Sequence, residues 1–92
     1  MGDIWVECMS WDYDRTYTFY KVLKVSGKRI TFGELEKKGK GYYNSYDYKV
    51  TPTNKLTGKQ IVKNWTGGDY IKNGRNSLTP YKGGELTEQH MN

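Results

Sequence analysis

Three small sets of side chains in this sequence are of types that could support catalysis or metal binding. The single histidine, His90, stands near the end of a polar tail, where a general base would have no fixed position. The single cysteine, Cys8, alternates with polar or larger residues after Ile4 and Val6, which predicts a first strand with these three on its one buried face. A thiol there serves as a small core hydrophobe. Asp12 and Asp14 are two residues apart in an expected loop, a place where Asp more often bonds its own backbone. We therefore predict no enzyme, no metal and no cofactor.

A separate group of basic and aromatic residues could bind a polyanion. Residues 21–40 hold seven bases and two acids, whereas residues 1–20 hold one base and four acids. Lysine and arginine bind phosphates, and aromatic rings stack on unpaired bases. The same residue types also keep sheet edges soluble and pack across strand pairs, which is the alternative interpretation. The residues predicted to contact a nucleic-acid backbone or single strand are Lys24, Lys28, Arg29, Lys37, Lys38, Lys40, Tyr20, Tyr42 and Tyr43.

A rival binding site is the acidic, aromatic segment at residues 11–15. Trp11, Tyr13, Asp14 and Arg15 are residues that could anchor a protein interface, because exposed Trp, Tyr and Arg dominate interface energetics. The alternative is a structural loop in which Trp11 covers one end of a barrel. The rival function is inhibition of a host enzyme or defence system by protein–protein contact, of the anti-CRISPR or anti-restriction type.

Short β-type segments must position these residues. We predict strands near residues 3–9, 16–25, 28–32, 42–51, 60–65, 70–72 and 78–81, from β-branched and aromatic composition bounded by turn residues. A two-residue turn at 26–27 would pair Val25 with Lys28 and place Lys24 opposite Arg29, a like-charge pair that an anion would relieve. Residues 34–41 are predicted as a charged loop and 52–58 as a turn-rich connection. A turn at 66–69 is predicted to pair the strand at 70–72 with the strand at 60–65.

This pattern predicts an all-β fold, a small antiparallel SH3-like barrel or roll of five to seven short strands. The 92 residues make one domain, assigned to residues 1–84, with a flexible tail at 85–92. One cysteine, no basic-then-apolar leader and no long apolar stretch indicate a cytoplasmic protein without a membrane span. No small-molecule substrate is expected. The oligomeric state is left open, with a dimer as one candidate.

Several short motifs resemble a family of small uncharacterised proteins from bacteriophages and mobile elements. They are Trp-Asp-Tyr-Asp-Arg-Thr at 11–16, Phe-Tyr-Lys-Val at 19–22, Val-Ser-Gly-Lys at 25–28, Asn-Trp-Thr-Gly at 64–67 and Tyr-Ile-Lys at 70–72. The family has Gly, Gln and Asn where this chain has Asp12, Arg15 and Tyr17. The resemblance implies a phage accessory protein in the host cytoplasm that acts by binding nucleic acid, host enzymes or defence complexes. The expected partner is nucleic acid or a nucleic-acid-associated host protein.

Overall fold

Seven β-strands account for the regular structure of the part of the chain that the structure describes. A computed structural model describes residues 3–11, 14–41 and 48–89. The strands are β1 Ile4–Trp11, β2 Asp14–Ser26, β3 Arg29–Lys40, β4 Tyr48–Asn64, β5 Ile71–Asn73, β6 Asn76–Pro80 and β7 Leu86–Glu88. The predicted all-β class is thereby confirmed, and the described residues contain no helix.

All seven strands belong to one open antiparallel sheet in the order β5-β6-β1-β2-β3-β4-β7. All six pairings are antiparallel. Four of them join strands that follow one another in the sequence, whereas β1 pairs with β6 and β4 pairs with β7 across the chain. An isolated bridge between Arg15 and Gln89 brings the chain after β7 against the start of β2, with N–O distances of 2.8 and 3.0 Å. The sheet therefore curls strongly without closing.

Hydrophobic cores lie on both faces of this sheet. Consecutive residues of a strand point to opposite faces, and both members of the pairs Trp5–Val6 and Phe19–Tyr20 are buried. One cluster contains Trp5, Tyr20, Val22, Ile30, Phe32, Ile71 and Leu78. The other contains Val6, Phe19, Leu35 and Val50. The expectation that β1 buries only one face was wrong, since Trp5 and Glu7 are buried while Cys8 is exposed.

The hairpin between β2 and β3 turns one residue later than predicted. Gly27 and Lys28 form the turn, and Ser26 pairs with Arg29. A tight hairpin requires positive φ at its first central residue, and Gly27 supplies it with φ 61°. Val25 therefore pairs with Ile30, and Lys24 pairs with Thr31. The predicted like-charge pairing of Lys24 with Arg29 does not occur.

Two predicted loops are in fact strand. Residues 34–40 continue β3, because their backbone pairs with the first half of β4. Residues 52–58 lie inside β4, whose register shifts on either side of Leu35. At each shift three β4 residues, 57–59 and 53–55, lie opposite one β3 residue. Bulges accommodate residues that a regular ladder rejects, such as Gly58 with φ 101°, and they bend the strand.

Two further predictions are corrected at the end of the chain. Residues 70–72 were expected to pair with 60–65, but β5 pairs with β6. The predicted flexible tail at 85–92 includes β7, which pairs with β4 from Tyr48 to Val50. Glu88 of β7 is fully buried, so this part of the tail is an integral part of the sheet. His90 lies outside the described residues.

Candidate nucleic-acid interface

A basic surface lies where β2, β3 and β4 run side by side near the Gly27 turn. Three cross-strand rows connect these strands. The rows are Lys21–Gly33–Gln60, Lys24–Thr31–Val62 and Ser26–Arg29–Asn64. Paired residues of an antiparallel sheet point to the same face, so all nine side-chain positions share one face. We call these nine positions the basic face.

Each row of the basic face contributes one cation. Lys24 and Arg29 are exposed, and Lys21 is half-buried. Rows two residues apart on β3 are separated by about 7 Å, and neighbouring strands by about 5 Å. The bulge between Val22 and Lys24 keeps Lys21 and Lys24 on the same face although they are three residues apart. The result is a ladder of positive charges spaced at short, regular intervals.

Acidic residues are absent from these parts of the three strands. Residues 21–33 and 59–64, all described, contain six bases and no acid: Lys21, Lys24, Lys28, Arg29, Lys59 and Lys63. Lys28 lies in the exposed turn, whereas Lys63 pairs with Ile30 and so points away from the basic face. The same-sign charges reinforce one another and produce a local positive potential.

Apolar side chains lie between the cations. Leu23, the extra residue of the bulge, and Leu56 both cover Gly33, where an added Cβ would approach their methyl carbons to 2.7 and 2.8 Å. Leu56 and Val62 are about half exposed. The absent side chain at Gly33 thus lets two leucines lie flat against the strand, and the surface combines charge with exposed apolar area.

The structure does not bring the remaining predicted bases to this face. Lys38 and Lys40 are exposed but pair with Thr51 and Lys49 at the far end of β3. Seven residues of extended strand separate Thr31 from Lys38, roughly 23 Å at the usual rise. Lys37 is engaged in the fold, because its Nζ donates to Glu88 Oε2 at 2.5 Å and to the Tyr17 carbonyl at 2.8 Å.

The predicted stacking role of Tyr20 is also wrong. Its side chain is only 3% exposed and packs edge-on against Phe32 at a centroid distance of 6.3 Å. Burial, together with the carboxylates of Glu7 and Glu34, raises the pKa of Tyr20 to about 12. Tyr20 is a core residue with no free ring face. Tyr42 and Tyr43 lie outside the described residues.

The rival segment at residues 11–15 is only partly described. Trp11 pairs with Asp14 at the end of the β1–β2 hairpin, and Tyr13 and Asp12 lie outside the described residues. The exposed Arg15 forms the backbone bridge to Gln89. The backbone of this segment therefore contributes to the sheet.

The basic face includes one cation that the predicted site omitted. Lys21 lies in a predicted strand, but the expected turn placed it opposite Phe32 rather than in a row with Gly33. Spacing in the sequence could have suggested it only if the bulge at Leu23 had been anticipated.

Within residues 3–11, 14–41 and 48–89, no three His, Cys, Asp or Glu side chains cluster as metal ligands would. The same segments contain no helix of the length and hydropathy needed to cross a membrane.

Comparison of the chain with protein-family models, with curated proteins and with solved structures finds no match.

Proposed function

We propose that this protein binds nucleic acid through the basic face, with phosphate groups lying along the three rows. The single observation that carries the proposal is the alignment of Lys21, Lys24 and Arg29 in successive rows of a strand surface without acids. Such a ladder suits a polymer with regularly spaced negative charges better than it suits a single anion.

Contacts of this kind position a backbone and do not read sequence. Only one of the three cations is an arginine, the side chain that most often recognises a base edge. The neighbouring Leu23, Leu56 and Val62 are apolar and have no hydrogen-bonding groups on their side chains. We therefore propose binding with little sequence preference, driven by charge and counterion release.

We also propose that the sheet forms an SH3-like roll and that the protein is a non-catalytic phage protein of the host cytoplasm. The bridge between Arg15 and Gln89 supports the roll, since it draws β7 toward β2. Inhibition of a host protein through residues 11–15 is the alternative. It gains no specific support from the described geometry of that segment.

A salt titration tests the proposed function. Fluorescence anisotropy of labelled single-stranded and duplex oligonucleotides of equal length and mixed sequence would be recorded with the purified chain. We expect binding at low salt and a linear fall of log K with log salt concentration, with a slope of about −2 to −3 if three phosphates are neutralised. No binding at 20 mM salt, or binding that salt does not weaken, would reject the proposal.

A further inference from the structure

A cavity near the start of β1 draws its walls from both faces of the sheet, and its charged residues are acidic. It has a volume of about 460 Å³ and lies between the start of β1, the segment after β4 and the end of β6. Its walls include Trp5, Trp65, Pro80 and Tyr81, and its charged residues are Asp3 and Asp69. Trp5 pairs with Tyr20 and thus occupies the face opposite to Lys21.

The aromatic walls of this cavity are held in place by the fold. Trp65 donates from its ring Nε1 to the Gly68 carbonyl at 2.8 Å and from its backbone N–H to the Lys28 carbonyl at 2.7 Å. Its ring also meets Trp5 edge-on at 6.0 Å. Despite these contacts Trp65 remains 38% exposed. A rigid indole with an accessible surface is a preformed contact for a ligand.

Both carboxylates at the cavity lack a cation. In the described part of the chain, neither the Asp3 nor the Asp69 side chain has a hydrogen-bond or ion-pair partner, and no lysine or arginine lines the cavity. Two exposed carboxylates repel a phosphate and attract a cation. The charge of this cavity therefore excludes the backbone of the nucleic acid proposed for the basic face.

We propose that this cavity binds an arginine side chain of a basic peptide segment in a partner protein. A guanidinium group complements both features of the cavity. Its plane stacks on an indole, and its N–H groups pair with carboxylates in a fixed geometry. Lysine satisfies the charge requirement but not the planar stacking. The volume lies in the range of small ligand pockets and admits a single long side chain.

Arginine binding is independent of nucleic-acid binding, because the cavity shares no residue with the nine positions of the basic face. The protein could hold a nucleic acid on the basic face and a basic protein segment in the cavity. The net charge of +5 opposes any unspecific attraction of a basic peptide, so binding would report the local site.

Two-dimensional NMR of the ¹⁵N-labelled protein tests the inference through the indole N–H signal of Trp65, assigned with Trp65→Phe. The probes are blocked Gly-Ser-X-Ser-Gly peptides in which X is arginine, lysine or citrulline, the neutral isostere of arginine. We expect saturable shifts with arginine, at least threefold weaker binding with lysine, and no saturation with citrulline over the same range.

Matched variants distinguish the site from general electrostatics. Asp3→Asn and Asp69→Asn should each weaken the arginine peptide at least threefold, whereas Glu85→Gln, an exposed acid outside the cavity, should not. Equal affinity for the citrulline peptide, or unchanged binding by both Asp variants, would overturn the inference. So would saturation of the Trp65 signal by guanosine in place of the arginine peptide, which would identify the cavity as a nucleobase site.

Discussion

Lys37 on β3 and Glu88 on β7 form an ion pair in which the carboxylate is completely buried. The Nζ–Oε2 distance is 2.5 Å, and the same oxygen accepts a hydrogen bond from the Tyr17 backbone N–H at 2.8 Å. Three strands, β2, β3 and β7, thus meet at one carboxylate. The ion pair and the Tyr17 hydrogen bond therefore tie Leu86–Glu88 to β2 and β3.

Removal of the cation from this pair should destabilise the fold. Lys37→Met leaves Glu88 buried without its counter-charge, for which losses of about 3–5 kcal/mol are typical in fully buried pairs. Because Lys37 is 36% exposed, water can solvate part of the site, and we expect about 1–3 kcal/mol. Urea unfolding of this variant and of Lys38→Met, a matched exposed neighbour, measures the difference. Equal midpoints for the two variants would contradict the structural role of Lys37.

Truncation after Gly84 should also destabilise the chain. It removes β7, whose residues pair with Tyr48, Lys49 and Val50, and it uncovers Val50 in the core. A flexible tail could be deleted without cost. We expect a thermal midpoint lowered by at least 5 °C, since a loss of about 1 kcal/mol shifts a domain of this size by that amount. An unchanged midpoint would show that the original expectation of a flexible tail was correct.

Tyr20 should make the protein less stable at alkaline pH. Its pKa is raised to about 12 in the folded state, compared with about 10 when unfolded. Stability from this group is therefore complete below pH 10, because both states hold the proton there. Between pH 10 and 12 the unfolded state releases the proton first, so the free energy of unfolding falls as pH rises, by up to about 1.4 kcal/mol per pH unit. Urea titrations at pH 9, 10 and 11 should show a steeper fall for the native chain than for Tyr20→Phe, and parallel curves would argue against this burial.

Cys8 should react readily with thiol reagents in the folded protein. The sequence pattern suggested a core position, but the side chain is exposed. We expect 5,5′-dithiobis(2-nitrobenzoic acid) to modify the native protein within tenfold of the rate in 6 M urea at the same pH. Protection of a hundredfold or more would indicate that the β1 register differs from the one described.

The sequence allowed the strand content to be predicted, but not how the strands combine. Hydrophobic alternation in β1 suggested one buried face, whereas the curled sheet buries Trp5 on one face and Val6 on the other. Pro52 and Gly58 suggested a loop, yet both lie in β4. Pro52 pairs with Lys37 beside the bulge at 53–55, and Gly58 lies within the bulge at 57–59. Such long-range pairing is not encoded in any local segment, so composition alone could not reveal it.

Sequence proximity predicted only some of the neighbours in the candidate interface. The bases near the Gly27 turn are close in sequence and stay close in the hairpin, so Lys24, Lys28 and Arg29 were correctly grouped as neighbours. Lys38 and Lys40 were grouped with them on the assumption of a loop that folds back. Because β3 continues as an extended strand, each residue carries them roughly 3.3 Å farther from the turn.

The most direct test of the central claim compares two double variants of equal charge. Lys24→Gln with Arg29→Gln removes two cations of the basic face, and Lys38→Gln with Lys40→Gln removes two exposed cations at the other end of β3. Both variants change the net charge from +5 to +3, since each loses two positive charges. Salt titrations of single-stranded oligonucleotide binding would be recorded for both variants and for the unchanged chain.

The account predicts that the slope of log K against log salt concentration becomes shallower by about 1.4 in the Lys24/Arg29 variant, at about 0.7 per lost phosphate contact, and changes little in the Lys38/Lys40 variant. Equal slopes for the two double variants, or the larger loss in the Lys38/Lys40 variant, would contradict the assignment of nucleic-acid binding to the basic face.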